Sequence, residues 1–224
     1  MTDSIGQKPF GPLRSYGRVK SRPIKPRQQG LLDTLLPKIS IDPAALPALP
    51  GETWLEIGFG GGEHMAVQAA RHPDVVILGA EPFLNGVASA VRHVEELALK
   101  NVRVLHGDAR ELVAALPDAS IARAFVLFPD PWPKARHHKR RIIEPTMLKE
   151  LARVLKPGGG LRFATDWADY ADWTLERVLA CGMFDWPAER ADDWRAPPAD
   201  HVTTRYEEKK LGDCAPVFLD FVRR

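Results

Sequence analysis

The sequence predicts an α/β fold, an open and mostly parallel sheet covered by helices on both faces. Three observations carry that prediction. Five short apolar runs, TWLEI (53–57), VVILGA (75–80), VRVLH (102–106), AFVLF (124–128) and LRFAT (161–165), are each bounded by turn residues. Helix-like stretches lie between them, and parallel strands need such crossovers. A glycine-rich turn, GFGGG, joins the first run to the stretch that follows it.

The first thirty residues, through PLRSYGRVKSRPIKPRQQG, hold many Lys, Arg, Pro and Gly and one acid, Asp3. They show no apolar periodicity, which predicts a mobile basic arm over 1–30 ahead of a single domain over 31–224. PAALPALPG leads into the first strand, where Trp54 is expected in the core. After the second strand, Leu84, Val87, Val91, Val94 and Ala98 recur at three- and four-residue steps, a helix with one apolar face. Met147, Leu148, Leu151, Val154 and Leu155 form a second such face, and KPGGG (156–160) is expected to stop that helix. A further helix is expected near 168–181. The tail offers TRYEEKKL and PVFLDFVRR without a helix between them, which predicts an antiparallel pair at the sheet edge.

Composition limits function more than it assigns it. Hydrophobic residues at 45% and charged residues at 27% are ordinary for a globular chain. A net charge of +2 names no partner, so local charge must. Cys181 and Cys214 form no CxxC and no metal pattern, which suggests a reducing compartment. No run approaches a membrane span and MTDSIGQKPF lacks a signal core, so a cytoplasmic location is expected. Neither a metal nor an obligate protein partner is implied.

The strand ends carry the chemistry. In LEIGFGGGEH, Gly58 and Gly60 let the backbone turn sharply beside a ligand, and Glu56 precedes them. Glu63 stands where a dinucleotide fingerprint needs its third glycine, which counts against NAD. Glu81 ends the second strand and can accept from ribose hydroxyls. Asp108 follows the third strand and can accept from an adenine amine, although an acid there can also simply cap a helix. Acids and glycines at successive strand ends describe a cationic adenosine, such as S-adenosyl-L-methionine. His64 could touch that ligand or merely pack. These features resemble the class I S-adenosylmethionine-dependent methyltransferases, with a Rossmann-like seven-stranded sheet whose last strand is antiparallel.

The fourth strand runs into FPDPWPKARHHKRR, residues 128–141. A proline-flanked carboxylate, Asp130, beside an indole can bind and stack a flat polar ring, and guanine offers two adjacent donors on one edge. The cations that follow suit phosphates. The phrase is similar to the signature of the bacterial tRNA (guanine-N7)-methyltransferase family. RSYGRV...QQ in the arm, ATD ending at Asp166, and TRYE at 204–207 agree with it.

That resemblance implies a tRNA partner and methylation at N7 of the variable-loop guanosine. It implies Glu56, Glu81, Asp108 and Asp130 at the cofactor, with Asp130 also the catalytic acid. Lys134, Asp166, Thr204, Arg205, Tyr206 and Glu207 would touch substrate. Arg136, His137, His138, Lys139, Arg140 and Arg141 would grip RNA, although adjacent histidines on a surface loop can also simply be solvated. The competing readings are a small-molecule N-methyltransferase on the same fold and a non-catalytic S-adenosylmethionine- and RNA-binding protein.

Overall fold

The computed structural model describes residues 9–10, 23–49 and 51–224. Ahead of the sheet come two short helices, α1 (Pro26–Thr34) and α2 (Leu36–Ile39). The strands and helices then alternate as expected: β1 (Thr53–Ile57), α3 (Glu63–Arg71), β2 (Val76–Ala80), α4 (Leu84–Glu96), β3 (Val102–Leu105), α5 (Ala109–Ala115), β4 (Ile121–Leu127), α6 (Pro145–Val154), β5 (Leu155–Thr165) and α7 (Ala168–Ala180). The chain ends with β6 (Phe184–Asp185), α8 (Asp192–Arg195) and β7 (Val217–Arg223).

The strand order is β3-β2-β1-β4-β5-β7-β6, and β7 alone runs antiparallel to its neighbours, β5 and β6. From β1 the chain builds outward in one direction to β3, then returns to β1's other side with β4. The crevice between β1 and β4 is therefore the switch point, where α/β sheets bind ligands beyond their carboxyl ends.

Alternation along each strand splits the core into two layers. Trp54, Ile77 and Phe125 face Met65, Val87, Val91 and Val94 on α3 and α4. Leu55, Leu78, Val126 and Phe163 face Leu112, Leu151 and Val178 on α5, α6 and α7. Both faces being covered, β1 is buried at every residue and reads as a continuous apolar run except for Glu56.

Three expectations are corrected. Pro26–Gly30 do not belong to an arm: they open α1, which starts with a proline and packs on α4, where Arg27 meets Glu95 at 2.9 Å. Phe10, also within 1–30, is buried in the main core cluster; RSYGRV (14–19) lies outside the described residues. TRYEEKKL is not a strand. Its apolar residues do not alternate, Glu207–Lys209 form a 3-10 turn, and β7 pairs instead with the two-residue β6. KPGGG follows α6 but belongs to β5, as a bulge: Ile121 pairs with Leu155 and Arg123 with Gly160, so the residues between leave the ladder, with Gly158 at φ 77°.

Candidate active site

The glycine turn after β1 needs its glycines for two reasons. Gly58 and Gly60 lie at φ 69° and 53°, and an added Cβ at either would meet nothing within 4 Å, so their outer side is open. Around them the packing is tight. A Cβ on Gly86 of α4 would stand 2.3 Å from the Gly60 carbonyl oxygen, and one on Gly62 would stand 2.6 Å from Ala90 Cβ. The turn is thus clamped from behind and free in front.

Glu81, just past β2, ties this turn down. Its carboxylate accepts from the Gly60 amide at 2.8 Å and the Phe83 amide at 2.9 Å. Burial pushes its pKa up, the two amides oppose that, and the charges of Asp130 and Glu56 add to the rise. Glu56 is 3% exposed and meets His64 Nδ1 at 2.7 Å. His64 Nε2 lies 3.2 Å from the Gln68 amide, which donates to the Asp200 carbonyl at 2.8 Å. His64 is therefore the partner of Glu56 in this structure. Asp108 caps α5: its Oδ1 accepts from the Arg110 amide at 3.0 Å and the Arg110 guanidinium binds both oxygens. The capping role that the sequence left open is realised, beside whatever a ligand adds.

At the next strand end, β4 stops at Leu127 and the chain turns through FPDPW. Phe128 and Trp132 take φ 50° and 46°, left-handed values that residues with a Cβ rarely adopt. Between them, Asp130 is exposed. Burial is the main cause that raises the pKa of Glu81, Tyr170 and Tyr206, and the Asp130 charge adds to each rise, so the carboxylate lies within electrostatic reach of the acid that holds the glycine turn.

The cationic segment divides. Lys134, Arg136 and Lys139 are exposed, and Ala135–Arg140 wind as a 3-10 turn. Arg140 stacks over Trp132 at 4.9 Å, and His137 sets its ring edge-on to the same indole at 6.0 Å. Lost hydration first, then Arg140 and Arg136, hold the His137 pKa below its ordinary value. His138 lies 3.6 Å from Asp169 and edge-on to Trp173. Arg141 departs from expectation. It is 3% exposed, its Nε donates to the Pro131 carbonyl at 2.9 Å, it pairs with Asp169, and its Nη1 is buried without a partner.

A strap over residues 200–214 joins the two sides. Arg205 pairs with Glu63 and donates to Ser89 Oγ at 2.5 Å, lying across Gly61. The residue that breaks the dinucleotide fingerprint thus has a cation on it. Tyr206 packs near Phe128, with ring centroids 6.0 Å apart. Thr204 and Glu207 cap one another: the Thr204 amide donates to Glu207 at 3.1 Å and the Glu207 amide to Thr204 Oγ1 at 3.4 Å, while His201 holds the other Glu207 oxygen at 3.0 Å. Asp166, just past β5, is buried; its Oδ2 accepts from the Gly212 amide at 2.9 Å and its Oδ1 has no partner.

Sequence reasoning missed the strap's anchor. Asp200 accepts from Arg162 at 2.5 Å and Arg123 at 3.0 Å, and Arg162 also binds Asp220 at 2.6 Å. Asp200 sits in a loop without pattern. Arg162 did carry a signal, because a cation inside the apolar LRFAT strand must find an acid.

Comparison with known proteins matches this geometry. A family model described as "Putative methyltransferase" covers residues 51–218. A tRNA (guanine-N(7)-)-methyltransferase of Caulobacter sp. (strain K31) is 69% identical over 97% of this chain and 98% of its own. Relatives of the same name from Hyphomonas neptunium and Rhodospirillum rubrum are 54% and 46% identical, over 93% and 97% of this chain and 99% and 91% of theirs. The chain belongs to the tRNA (guanine-N7)-methyltransferase family. Solved structures extend the likeness of fold beyond that family. An rRNA methylase from Streptococcus thermophilus superposes with a TM-score of 0.53 at 13% identity, covering 91% of this chain and 97% of its own. A 16S rRNA (adenine(1408)-N(1))-methyltransferase from Catenulisporales acidiphilia, solved with its cosubstrate SAM, gives 0.51 at 18% identity, covering 77% and 85%. The class I fold expected from the sequence is the fold observed.

Proposed function

We propose that the chain transfers the methyl group of S-adenosyl-L-methionine to N7 of a guanosine in tRNA, the one in the variable loop, forming 7-methylguanosine in the cytoplasm. The observation that carries this reading is the exposed Asp130, set between two left-handed residues and within electrostatic reach of Glu81. Among the described residues no helix is long and apolar enough to cross a membrane.

The residues fit the donor. Gly58 and Gly60 leave open space on one side of the turn, and Glu81 beside them can accept from ribose hydroxyls through its remaining lone pairs. Glu56 and Glu81 put two buried acids near a ligand that carries a sulfonium and an ammonium. Asp108 would face the adenine and Glu56 the cationic amino acid end. When bound, S-adenosyl-L-methionine supplies an activated methyl group whose departure leaves a neutral thioether.

The chain's own work is then positioning and electrostatics. Guanine N7 carries an in-plane lone pair and no proton, so no residue needs to act as a base there. Asp130 would accept from the guanine Watson–Crick edge and fix the ring's orientation. As N7 becomes cationic, that edge becomes more acidic and the bond to Asp130 strengthens, which favours the transition state over the ground state. The buried Asp166, with one oxygen lacking a partner, would accept a second donor from the base. Lys134, Arg136, Lys139 and Arg140 would meet phosphates, and Tyr206 and Arg205 would border the pocket from the strap.

The test is transfer of labelled methyl from S-adenosyl-L-methionine to bulk tRNA, with digestion to nucleosides. Label in 7-methylguanosine, abolished by prior ribonuclease treatment, is expected. Label that resists ribonuclease would mean a small-molecule acceptor, and binding without transfer would mean a non-catalytic protein.

A further inference from the structure

The last cation of RHHKRR faces inward, and what it holds is the acceptor turn. FPDPW places residues with a Cβ in left-handed conformations at Phe128 and Trp132, and such turns persist only where their surroundings over-determine them. Several restraints are local. Pro131 fixes its own φ and pushes Asp130 into extended conformations, and Pro129 fixes its own φ. These restraints leave ψ of Pro131 soft, and that angle sets the direction of its carbonyl. That carbonyl accepts from Arg141 Nε at 2.9 Å.

Arg141 is itself immobilised. One guanidinium nitrogen pairs with Asp169, and the group stacks 4.6 Å from the Tyr170 ring and 4.9 Å from the Trp173 ring. Trp173 is fixed in turn, since its indole donates to the Ile143 carbonyl at 2.8 Å and Arg177 covers it at 3.1 Å. All three partners lie on α7, so this helix reaches the acceptor turn through one planar cation. Lysine could not substitute, because a single ammonium cannot stack between rings and hold two acceptors in a fixed fork.

We propose that Arg141 is a positioning residue for methyl transfer, holding the Pro131 carbonyl so that Asp130 faces the donor, and that it is no part of the RNA grip. The inference rests on the reading of Asp130 given above. It separates residues that the sequence presents as one charge run: Lys134, Arg136 and Lys139 set affinity for tRNA, and Arg141 sets the rate.

The test uses the full-length protein in single-turnover methylation at saturating tRNA and S-adenosyl-L-methionine. Arg141→Lys should slow the step roughly tenfold to a hundredfold, and even in Arg141→Ala the tRNA Kd and its salt dependence should stay at wild-type values. Low-millimolar guanidinium, against a sodium chloride control, should restore part of the rate of Arg141→Ala. In an Asp130→Asn background, Arg141→Lys should add little, because both act through one carboxylate. Amide exchange at Asp130, Trp132 and Lys134 should quicken in Arg141→Lys whatever the activity. Should Arg141→Ala fail to fold, Asp169→Asn loosens the same guanidinium without removing it, and an intermediate rate is expected. A wild-type rate in Arg141→Lys, together with a salt slope reduced by about 0.7–0.9 in Arg141→Ala, would make Arg141 a phosphate contact and overturn the proposal. Unchanged amide exchange would overturn it too. A wild-type rate in Asp130→Asn would instead overturn the reading of Asp130, and so the two failures are told apart.

Discussion

The donor side and the acceptor side of the site are built by opposite means. Around the glycine turn, buried and half-buried acids are tied by backbone amides and neighbouring side chains: Glu81 by Gly60 and Phe83, Glu56 by His64, and the half-buried Asp108 by Arg110. Beyond β4, the acid is exposed, the residues Phe128 and Trp132 flanking its turn are left-handed, and Arg140 stacks on the Trp132 indole. A donor site that holds the same molecule each turnover gains from fixed amides. An acceptor site that must admit a macromolecule needs an open face, and its order has to come from behind.

The sharpest break in that contrast is Asp130→Asn. An acid that stabilises developing charge should cost roughly a hundredfold in single-turnover rate when neutralised, with little change in cofactor affinity. A normal rate at saturating substrates would make the acceptor side a mere binding surface. The donor side should answer in the other parameter. Glu81→Gln should raise the KM for S-adenosyl-L-methionine about tenfold or more, as loss of a charged hydrogen bond costs about 1.5–3 kcal/mol, and leave kcat nearly intact.

Glu81 also carries a pH signature. Its pKa is raised by burial, so the fold favours the protonated form. The stability it contributes is present below the ordinary carboxylate range and is lost as pH rises through the raised value. Melting curves of Glu81→Gln should lack that decline.

The strap's anchor behaves in reverse. Arg162 and Arg123, working against partial burial, hold the Asp200 carboxyl at about 2, below its usual 3.8. Its contribution is present above that usual value and lost as pH falls through about 2. Asp200→Asn should cost roughly 1–3 kcal/mol at neutral pH, a gap that closes in acid. A gap that stays constant in denaturant titrations down to pH 2 would show that the ion pair does not anchor the strap. Smallest of all, Lys139→Gln should lower the salt slope of tRNA binding by about 0.7–0.9 without touching the saturated rate.

How much of this was legible follows the same divide. Strand ends could be read because a buried strand is an apolar run, and an acid closing such a run stands out; Glu81 was singled out that way, and Glu56 by its place beside the glycine turn. Asp130 was found because prolines and an indole around one acid make a phrase that few turns need. The charge run could not be sorted, because sequence gives sign and spacing but not facing. Arg141 and Lys139 look alike until α7 brings Asp169, Tyr170 and Trp173 beside one of them. TRYEEKKL misled for a related reason: its position between the last helix and β7 suggested a strand, but its charges pair with α3 and with its own turn. Asp200 was invisible, since its partners lie 38 and 77 residues away.

The most direct measurement is a crystal structure with S-adenosylhomocysteine and a tRNA fragment carrying the variable loop. The account predicts ribose hydroxyls on Glu81, the sulfur in the gap between Gly58–Gly62 and Asp130, and guanine N7 facing that sulfur with its Watson–Crick edge on Asp130. A guanine bound with N7 turned away, or a cofactor seated anywhere but the β1–β4 crevice, would contradict it.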